Sequence, residues 1–228
     1  MDLAEALGEI RARYASRLTP EQYAMMERQV DELQIAGTLE HVITVGSKLP
    51  SFRLADTLGK QISSKTLLKR HSLVLFFYRG TWCPFCNAEL ESLVGAEATI
   101  RSFTAQLVGI TPQRPEMVEA VRVVRNVGFP ILIDRGNEYA ASLGLCYGFP
   151  GYLRSLYQEI FNTDLSKVNA GSDWQLPVAA RIVVDRLGVV RLVEASLDYR
   201  TRPPLDHMLD VLRRLAAIQD AGPVPGGQ

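Results

Sequence analysis

The sequence predicts an α/β fold in which a central mixed sheet carries helices on both faces, preceded by a two-helix extension. From residue 73 onwards, short apolar runs alternate with longer amphipathic segments, which is the pattern of strands alternating with helices. Before residue 38, apolar residues recur at helical spacing. We therefore expect a helical extension (residues 1–37), a main α/β domain (residues 38–218) and a disordered tail (residues 219–228).

The first 37 residues are predicted to form two helices. The apolar positions of the first helix are Leu3, Leu7, Ile10 and Tyr14. The second helix begins with a threonine N-cap at Thr19, a proline at the first helical position and a capping-box glutamine at Gln22, and it ends near Gly37. The apolar stripes of two such helices need cover, either from their own domain or from a second copy, and we expect a homodimer.

Strands and helices of the main domain follow one another in a regular order. The predicted strands are residues 50–54, 73–78, 105–110, 131–133, 182–184 and 189–193. The predicted helices are residues 84–102, 115–127, 138–145 and 204–217. The run Leu73–Tyr78 is wholly apolar, as expected for a strand buried on both faces, and Asp185–Gly188 is a hairpin signal. Residues 147–176, rich in aromatic residues and glycine, are predicted to be irregular.

Charge and composition exclude several classes of partner. The 228 residues carry 25 Lys and Arg against 25 Asp and Glu, with no long block of one sign, so neither nucleic acid nor an acidic membrane is indicated. No apolar run approaches the roughly 20 residues of a membrane-spanning helix. The first residues are acidic and mixed, unlike a secretory signal. Three cysteines, an odd number, argue against a disulfide framework, and we expect a cytoplasmic protein with a working thiol pair.

Cys83-Pro84-Phe85-Cys86 is the segment most informative about function. It follows a predicted buried strand and opens a helix, which is the placement of a redox-active thiol pair. The first-turn N–H groups and the positive end of the helix dipole stabilise a thiolate there, and the dipole alone lowers a pKa by about one unit. Two cysteines three positions apart share one face of the first turn. Cys83, at the helix mouth, is predicted to be the more exposed and to attack, and Cys86 to resolve.

The spacing of the remaining cysteine and the histidines does not predict a metal site. Cys83 and Cys86 could supply half of a zinc site, which would need two further ligands. The candidates are Cys146, His41, His71 and His207, and none of them are paired at ligand spacing. We therefore expect neither a metal nor another cofactor. Cys146 follows a predicted apolar helix and is best explained as a small buried side chain. A role as a distant resolving thiol is the alternative.

Four further residues are candidates for supporting the thiol pair. Arg79, beside the motif, and Arg181, at the start of a later strand, can polarise a peroxide or stabilise a thiolate, although an arginine is more often solvated. Thr81 can hydrogen-bond an incoming oxygen or cap the helix. Trp82 can shield the pair, form a docking surface or pack in the core.

The segment Phe77–Leu90, which contains the motif, resembles the signature of bacterial peroxiredoxin-like proteins of the alkyl hydroperoxide reductase/thiol-specific antioxidant superfamily. Further matching segments are Gly46–Leu54, Gly109–Gln113, Leu176-Pro177, Val183–Asp185 and Asp198–Pro203. The resemblance implies a thioredoxin-like fold, which the order of predicted elements also matches. It further implies a hydroperoxide substrate and a thioredoxin-like or small-thiol reductant.

The same resemblance leaves the roles of the two cysteines open. In its register the peroxidatic cysteine corresponds to Cys86, and Cys83 and Arg79 stand where the family has threonine and proline. The family's arginine falls at Ala179, and Arg181 shares the face of that position only if the strand is regular. Thioredoxin-type reasoning makes Cys83 the attacking thiol, whereas the peroxiredoxin register makes Cys86 the attacking thiol.

We expect the chain to be a thiol-dependent peroxidase that cycles Cys83 and Cys86 between dithiol and disulfide. A thioredoxin-like protein thiol–disulfide oxidoreductase is the alternative enzyme, motivated by the departures from the family pattern. A non-catalytic redox sensor or interaction module is the third hypothesis, which fast repeated turnover would exclude.

Overall fold

The computed structural model describes residues 2–171 and 174–220. Its strands are β1 (Arg53–Asp56), β2 (Gln61–Ser63), β3 (Ser72–Phe77), β4 (Ala105–Thr111), β5 (Ile131–Ile133), β6 (Cys146–Gly148), β7 (Gln175–Pro177), β8 (Ala179–Val184) and β9 (Val190–Ser196). Its α-helices are α1 (Leu3–Arg17), α2 (Pro20–Ile35), α3 (Ser64–Leu68), α4 (Pro84–Ser102), α5 (Pro115–Val124), α6 (Glu138–Ser142), α7 (Arg154–Glu159), α8 (Leu165–Val168) and α9 (Leu205–Asp220). The predicted α/β class is confirmed.

β3 lies at the centre of a seven-stranded mixed sheet. The strand order is β2-β1-β5-β4-β3-β8-β9. β3 pairs in parallel with β4 and antiparallel with β8, and all six of its residues are buried. A continuous apolar run suits this position, because a strand buried on both faces has no side chain directed to solvent. The end of β3, which leads into the thiol motif, therefore lies in the middle of the sheet.

Most predicted elements of the main domain are confirmed, and α4 and β5 have the predicted bounds. The first strand lies slightly later than predicted, at Arg53–Asp56, and it pairs antiparallel with β2. Neither β2 nor the five-residue helix α3 was expected. Elements of three to five residues are too short to show a hydrophobic period, so the sequence pattern does not reveal them.

The prediction that residues 147–176 are irregular is wrong for the described part of this range. The range contains α7 and α8, and β6 pairs antiparallel with β7 across it. Aromatic side chains pack the segment together: the ring centroids of Phe149 and Tyr157 are 4.6 Å apart, and those of Tyr157 and Phe161 are 5.2 Å apart. These short elements depend on tertiary packing, which local periodicity cannot show.

Cys146 begins β6, so the prediction that it follows directly on a helix is wrong. α6 ends at Ser142, and Gly144 follows with φ of 72°. A Cβ at Gly144 would lie 2.3 Å from the backbone oxygen of His41. Only glycine fits this close turn, which ends the helix earlier than its apolar pattern suggests.

Both predicted N-terminal helices form, and α1 packs on the main domain. The capping box of α2 is confirmed: the Gln22 N–H donates to the Thr19 hydroxyl at 3.3 Å, and the Thr19 N–H donates to the Gln22 side chain at 3.0 Å. The Tyr14 ring lies 5.5 Å from that of Phe85, between centroids. The buried apolar residues of α1 are Leu3, Leu7 and Ile10. The main domain covers the apolar stripe of α1, so this stripe does not require a second copy.

The last helix is longer than predicted. α9 runs to Asp220 and so includes the first two residues of the expected tail, and residues 221–228 lie outside the described residues. Across residues 2–171 and 174–220, no helix is long and apolar enough to cross a membrane.

Candidate active site

The thiol motif lies at the junction between β3 and α4. Gly80 turns the chain with φ of 147°, and a Cβ there would approach the Trp82 indole nitrogen to 2.5 Å. Cys83 is the N-cap residue of α4, and Pro84 occupies the first helical position, where its missing N–H costs nothing. The Asn87 N–H donates to the Cys83 carbonyl at 3.0 Å. Glycine at position 80 thus permits the turn that places Cys83 at the start of the helix.

The loop before Cys83 is held by side chains from outside it. The Thr81 N–H donates to the Gln113 side chain at 2.7 Å, and the Asn87 amide donates to the Thr81 carbonyl at 2.8 Å. Because Cys83 is the N-cap residue, Thr81 does not cap α4, and that interpretation of Thr81 is wrong. Its backbone, fixed at both ends, instead anchors the loop that leads to the thiol.

Both sulfurs of the motif are enclosed. Cys83 is 1% exposed and Cys86 is 0% exposed, so the prediction of a more exposed Cys83 is wrong. The Phe85 ring between them packs against α1 through Tyr14, and against Tyr199 at 5.7 Å between centroids. The local motif does not reveal that the N-terminal extension packs over the start of α4. This packing explains why the start of the helix is not open to solvent.

The surroundings of Cys83 favour its thiolate. Burial alone would raise the pKa of this thiol. Hydrogen bonds from the thiol and the backbone N–H of Cys86, together with the charges of Arg79 and Arg202, outweigh burial and lower the pKa of Cys83 to about 6. The first-turn N–H and the neighbouring thiol are the donors that the sequence indicates for such a site.

Cys86 has the opposite preference. Burial raises the pKa of its thiol well above the usual value, and its hydrogen bond to Cys83 and the negative charge of Cys83 raise it further. Within the pair, the lowered pKa of Cys83 and the raised pKa of Cys86 favour Cys83 as the thiolate and Cys86 as the proton donor. These opposite shifts agree with the thioredoxin-type order of the two roles.

Arg79 is buried beside the pair, unlike a solvated arginine. Its guanidinium donates to the Tyr157 hydroxyl at 2.7 Å. Its guanidinium carbon also lies 4.9 Å from the centroid of the Trp82 ring and 4.1 Å from that of Tyr199. Two of its nitrogens, Nε and Nη1, have no hydrogen-bond partner among the described residues. Arg79 is therefore a buried cation available to an anion at this site.

Arg202 is the residue that the sequence analysis missed. Its Nη2 lies 3.7 Å from the Cys86 sulfur, and its Nε is paired with the buried carboxylate of Glu89. The segment containing Arg202 was matched to the family without any role for this side chain. The available signal was Glu89, an acid three residues after Cys86 on the buried face of α4, which requires a cationic partner.

Arg181 is paired with carboxylates, whereas Arg202 contacts a thiol. Arg181 is 1% exposed and contacts Glu194 at 2.7 Å and Glu89 at 3.7 Å. β8 keeps a regular register from Ala179 to Val183, so Arg181 does share the face of Ala179. Through Glu89, Arg181 supports Arg202, and it is Arg202 that contacts a sulfur.

Trp82 is half-buried and packs over Arg79. Its ring lies edge-on to Tyr157, with centroids 5.8 Å apart. Cys146 lies apart from this cluster of contacts: its thiol faces the Gln175 side chain at 3.6 Å, and burial raises its pKa to about 11. Within the described ranges, no group of three or more His, Cys, Asp or Glu side chains is arranged to hold a metal ion.

The chain is similar to known proteins over most of the main domain. The model of the AhpC/TSA family matches residues 45–193. Over 106 residues the chain is 27% identical to a Mycobacterium tuberculosis protein assigned to the peroxiredoxins, and the match covers 46% of this chain and 66% of that protein, just under two thirds of it. It is 24% identical over 181 residues to the chloroplastic peroxiredoxin Q of Populus jackii, covering 79% of this chain and 73% of that one.

A solved structure shares the fold. Peroxidoxin BcpB from Mycobacterium tuberculosis superposes with a TM-score of 0.60 at 22% identity, covering 76% of this chain and 98% of that chain. The predicted thioredoxin-like fold is therefore confirmed for the main domain.

Proposed function

The chain belongs to the AhpC/TSA family, and from this premise we propose that it is a thiol-dependent peroxidase that works through Cys83 and Cys86. The observation that carries the proposal is the environment of Cys83, which lowers the thiol pKa to about 6. At pH 7 such a thiol is mostly ionised, whereas a free cysteine is roughly 3% thiolate. The thiolate is the nucleophilic form of cysteine.

In the first step, the Cys83 thiolate attacks the terminal oxygen of a hydroperoxide. An S–O bond forms as the O–O bond breaks, the sulfur is oxidised to a sulfenic acid, and the departing oxygen takes a proton and leaves as an alcohol or water. Negative charge develops on that oxygen in the transition state. Arg79 is a buried cation with two nitrogens that have no hydrogen-bond partner among the described residues, which supports a role in stabilising this charge.

In the second step, the Cys86 thiol attacks the sulfenic sulfur of Cys83. An S–S bond forms, the S–O bond breaks, and water leaves. Burial and the Cys83 thiolate both raise the pKa of Cys86 in the resting state. Oxidation of Cys83 removes its negative charge, so Cys86 becomes easier to deprotonate only once there is a sulfenic acid to attack.

The disulfide is then returned to the dithiol by an external reductant. A thioredoxin-like dithiol or a small thiol attacks one sulfur, and a second thiol releases the mixed disulfide. We propose a cytoplasmic location, because the odd number of cysteines suits a compartment in which thiols stay reduced. A homodimer stays a prediction without a structural argument, and light scattering tests it.

A protein thiol–disulfide oxidoreductase is the second candidate function. The observation that favours it is the order of the pair: an acidic Cys83 at the N-cap and a buried Cys86 behind it also serve attack on a protein disulfide. In this reaction Arg79 has no oxygen leaving group to stabilise. Peroxide reduction therefore gives Arg79 a leaving group to stabilise, and reduction of a protein disulfide does not.

Two assays on the purified chain separate these functions. Hydrogen peroxide consumption and insulin reduction are measured with the same dithiol reductant for wild type, Cys83→Ser, Cys86→Ser and the matched control Cys146→Ser. We expect Cys83→Ser to abolish peroxide consumption and Cys146→Ser to retain it. Full peroxidase activity in both Cys83→Ser and Cys86→Ser would overturn the proposal. Turnover of insulin without turnover of peroxide would establish the second candidate instead.

A further inference from the structure

A groove lies at the opposite end of β3 from the thiol pair. The residues at the end of α3, the turn between β8 and β9, and α9 enclose a volume of about 920 Å³. β8 runs antiparallel to β3 and pairs Val184 with Leu73, so the turn after β8 lies beside the start of β3. The thiol motif, by contrast, follows the end of β3. The groove is therefore separate from the active site.

Apolar side chains line this groove and project from it. Leu68, Val211 and Leu215 line it and are half-buried. Leu187, in the turn between β8 and β9, and Ile218, on α9, also line it, and they are 75% and 70% exposed. Single exposed apolar residues are common on protein surfaces, whereas several gathered at one place indicate a contact surface.

Positive charge predominates in the same groove. Its lining contains four exposed cations, Lys69, Arg186, Arg191 and Arg214, and one carboxylate, Asp185. Asp185 is paired with Arg191 at 2.6 Å, and the other three cations form no ion pair with a described residue. Four positive charges against one negative leave an excess of three, in a chain that carries 25 basic and 25 acidic residues overall.

The fold, and not the local sequence, assembles this charge. The four cations stand at positions 69, 186, 191 and 214, so they form no basic block along the chain. The expectation that no acidic membrane is a partner was drawn from the absence of such blocks. A cluster that forms only in the folded chain is invisible to that criterion.

Hydrogen bonds fix the turn that carries Leu187. The carboxylate of Asp185 accepts the N–H groups of Leu187 and Val189, each at 2.9 Å. The guanidinium of Arg186 donates to the carbonyl of Lys69 at 3.3 Å, which joins the turn to the end of α3. The apolar and cationic side chains of the groove are therefore presented together by a preformed surface.

We propose that this groove is the surface by which the chain docks on an anionic phospholipid bilayer. Leu187 and Ile218 enter the apolar boundary of the bilayer, and the unpaired cations contact lipid phosphates. Such binding grows with the apolar area buried and with the attraction between basic side chains and anionic lipids. The two projecting side chains stand on separate elements, and a fluid surface accepts both without a matching shape. Docking here leaves the thiol pair at the end of β3 that is away from the lipid.

Vesicle flotation of the full chain tests this proposal. The protein is mixed with vesicles of phosphatidylcholine alone, or of phosphatidylcholine and phosphatidylglycerol in equal parts. The variants are Arg186→Gln, Arg214→Gln and Leu187→Gln. The matched controls lie outside the groove lining: Arg13→Gln removes an exposed cation from α1, and Val124→Gln removes an apolar side chain that is 85% exposed on α5.

We expect wild type to float with the mixed vesicles and not with phosphatidylcholine alone. Each arginine variant should lower the partition coefficient about fivefold, as expected for one basic side chain near an anionic surface. Leu187→Gln should lower it about tenfold, since an apolar side chain no longer leaves water. Both controls should bind as wild type does, and added salt should weaken binding.

Three results would overturn the inference. They are no flotation of wild type with the mixed vesicles, equal flotation with both kinds of vesicle, and losses in the controls as large as those in the groove variants. Binding of a synthetic acidic amphipathic helix, without binding of the mixed vesicles, would likewise overturn it and assign the groove to a protein partner. None of these outcomes depends on whether the chain consumes peroxide.

Discussion

Arg79 is a cation buried where no described carboxylate touches it. Burying a charge is costly unless it is compensated, and its hydrogen bond to Tyr157 is to a neutral group. The faces of Trp82 and Tyr199 offset part of that cost, since aromatic faces attract cations. The remaining compensation is an anion, and the Cys83 thiolate supplies one. The same charge balance keeps the arginine in place and the thiol ionised.

Replacing Arg79 with methionine should therefore raise the pKa of Cys83. We expect the midpoint to move up from about 6 by about one unit or more, because an opposite charge nearby lowers a pKa by about 1–3 units. The ultraviolet absorbance of the thiolate, titrated with pH, measures the midpoint. Arg11→Met is the control and should leave it unchanged. An unaltered midpoint in Arg79→Met would show that the arginine does not act on the sulfur.

Stability should depend on pH through Cys83. Its pKa is lower in the folded chain, about 6, than the usual value of roughly 8.5 in an unfolded one. The thiolate therefore contributes fully above about pH 8.5, and this contribution is lost as the pH falls through about 6. In urea unfolding of the reduced protein, the free energy of unfolding of wild type minus that of Cys83→Ser should increase as the pH rises from about 6 to about 8.5. A gap that narrows with rising pH would contradict the lowered pKa.

At this scale, the sequence predicted the thiol pair and Arg79 because they stand within eight positions of one another. It missed Arg202, which is 116 positions from Cys86 and meets it only through the fold. It also missed the burial of Cys83, because the α1 residues that pack beside the motif lie some 70 positions earlier. Roles that depend on distant contacts leave no local pattern.

The turn between β3 and α4 depends on Gly80. Gly80→Ala would place a Cβ in a backbone conformation that side chains disfavour and against the Trp82 ring. We expect a loss of about 1–3 kcal/mol in the free energy of unfolding, with slower peroxide consumption as the loop shifts. Gly95→Ala is the control within α4, where a Cβ meets nothing within 4 Å. It should gain about 0.5–1 kcal/mol in urea unfolding; similar effects at both sites would refute the role of the turn.

Elements differ in how much of them the sequence reveals. α4 has the predicted bounds because Pro84 marks its start and its 19 residues show a clear period. α7 and α8 have six and four residues and depend on aromatic packing, so their pattern is indistinguishable from a loop. Length and a capping signal, more than hydrophobicity, decide which helices can be predicted.

Across the whole molecule, a buried ion cluster connects α4, β8, β9 and the segment before α9. Glu89 lies between Arg181 and Arg202, and Arg181 also contacts Glu194. Glu89→Gln would leave Arg202 buried without its carboxylate, which we expect to cost about 3–5 kcal/mol in the free energy of unfolding. Urea denaturation measures the loss.

The control for this prediction is an exposed ion pair. Asp210→Asn removes the partner of Arg213 on the surface of α9 and should cost at most about 1 kcal/mol. Equal losses in Glu89→Gln and Asp210→Asn would show that the cluster does not contribute to the stability of the fold.

The succession of core strands along the chain could be predicted because each core strand is a distinct apolar run. Which buried charges meet across that sheet could not be, since β8 and α4 bring Arg181 and Glu89 together from opposite ends of the main domain. The closing hairpin was predicted for the same reason as the strands: its turn residues and flanking apolar runs are contiguous.

The identity of the attacking thiol is the central claim of this account, and one measurement tests it directly. Each single variant, Cys83→Ser and Cys86→Ser, is treated with one equivalent of hydrogen peroxide and analysed by mass spectrometry with a sulfenic-acid trap. We predict that Cys86→Ser accumulates the trapped sulfenic acid at Cys83 and that Cys83→Ser accumulates none at Cys86. The reverse pattern, with the sulfenic acid at Cys86, would contradict the assignment and restore the peroxiredoxin register.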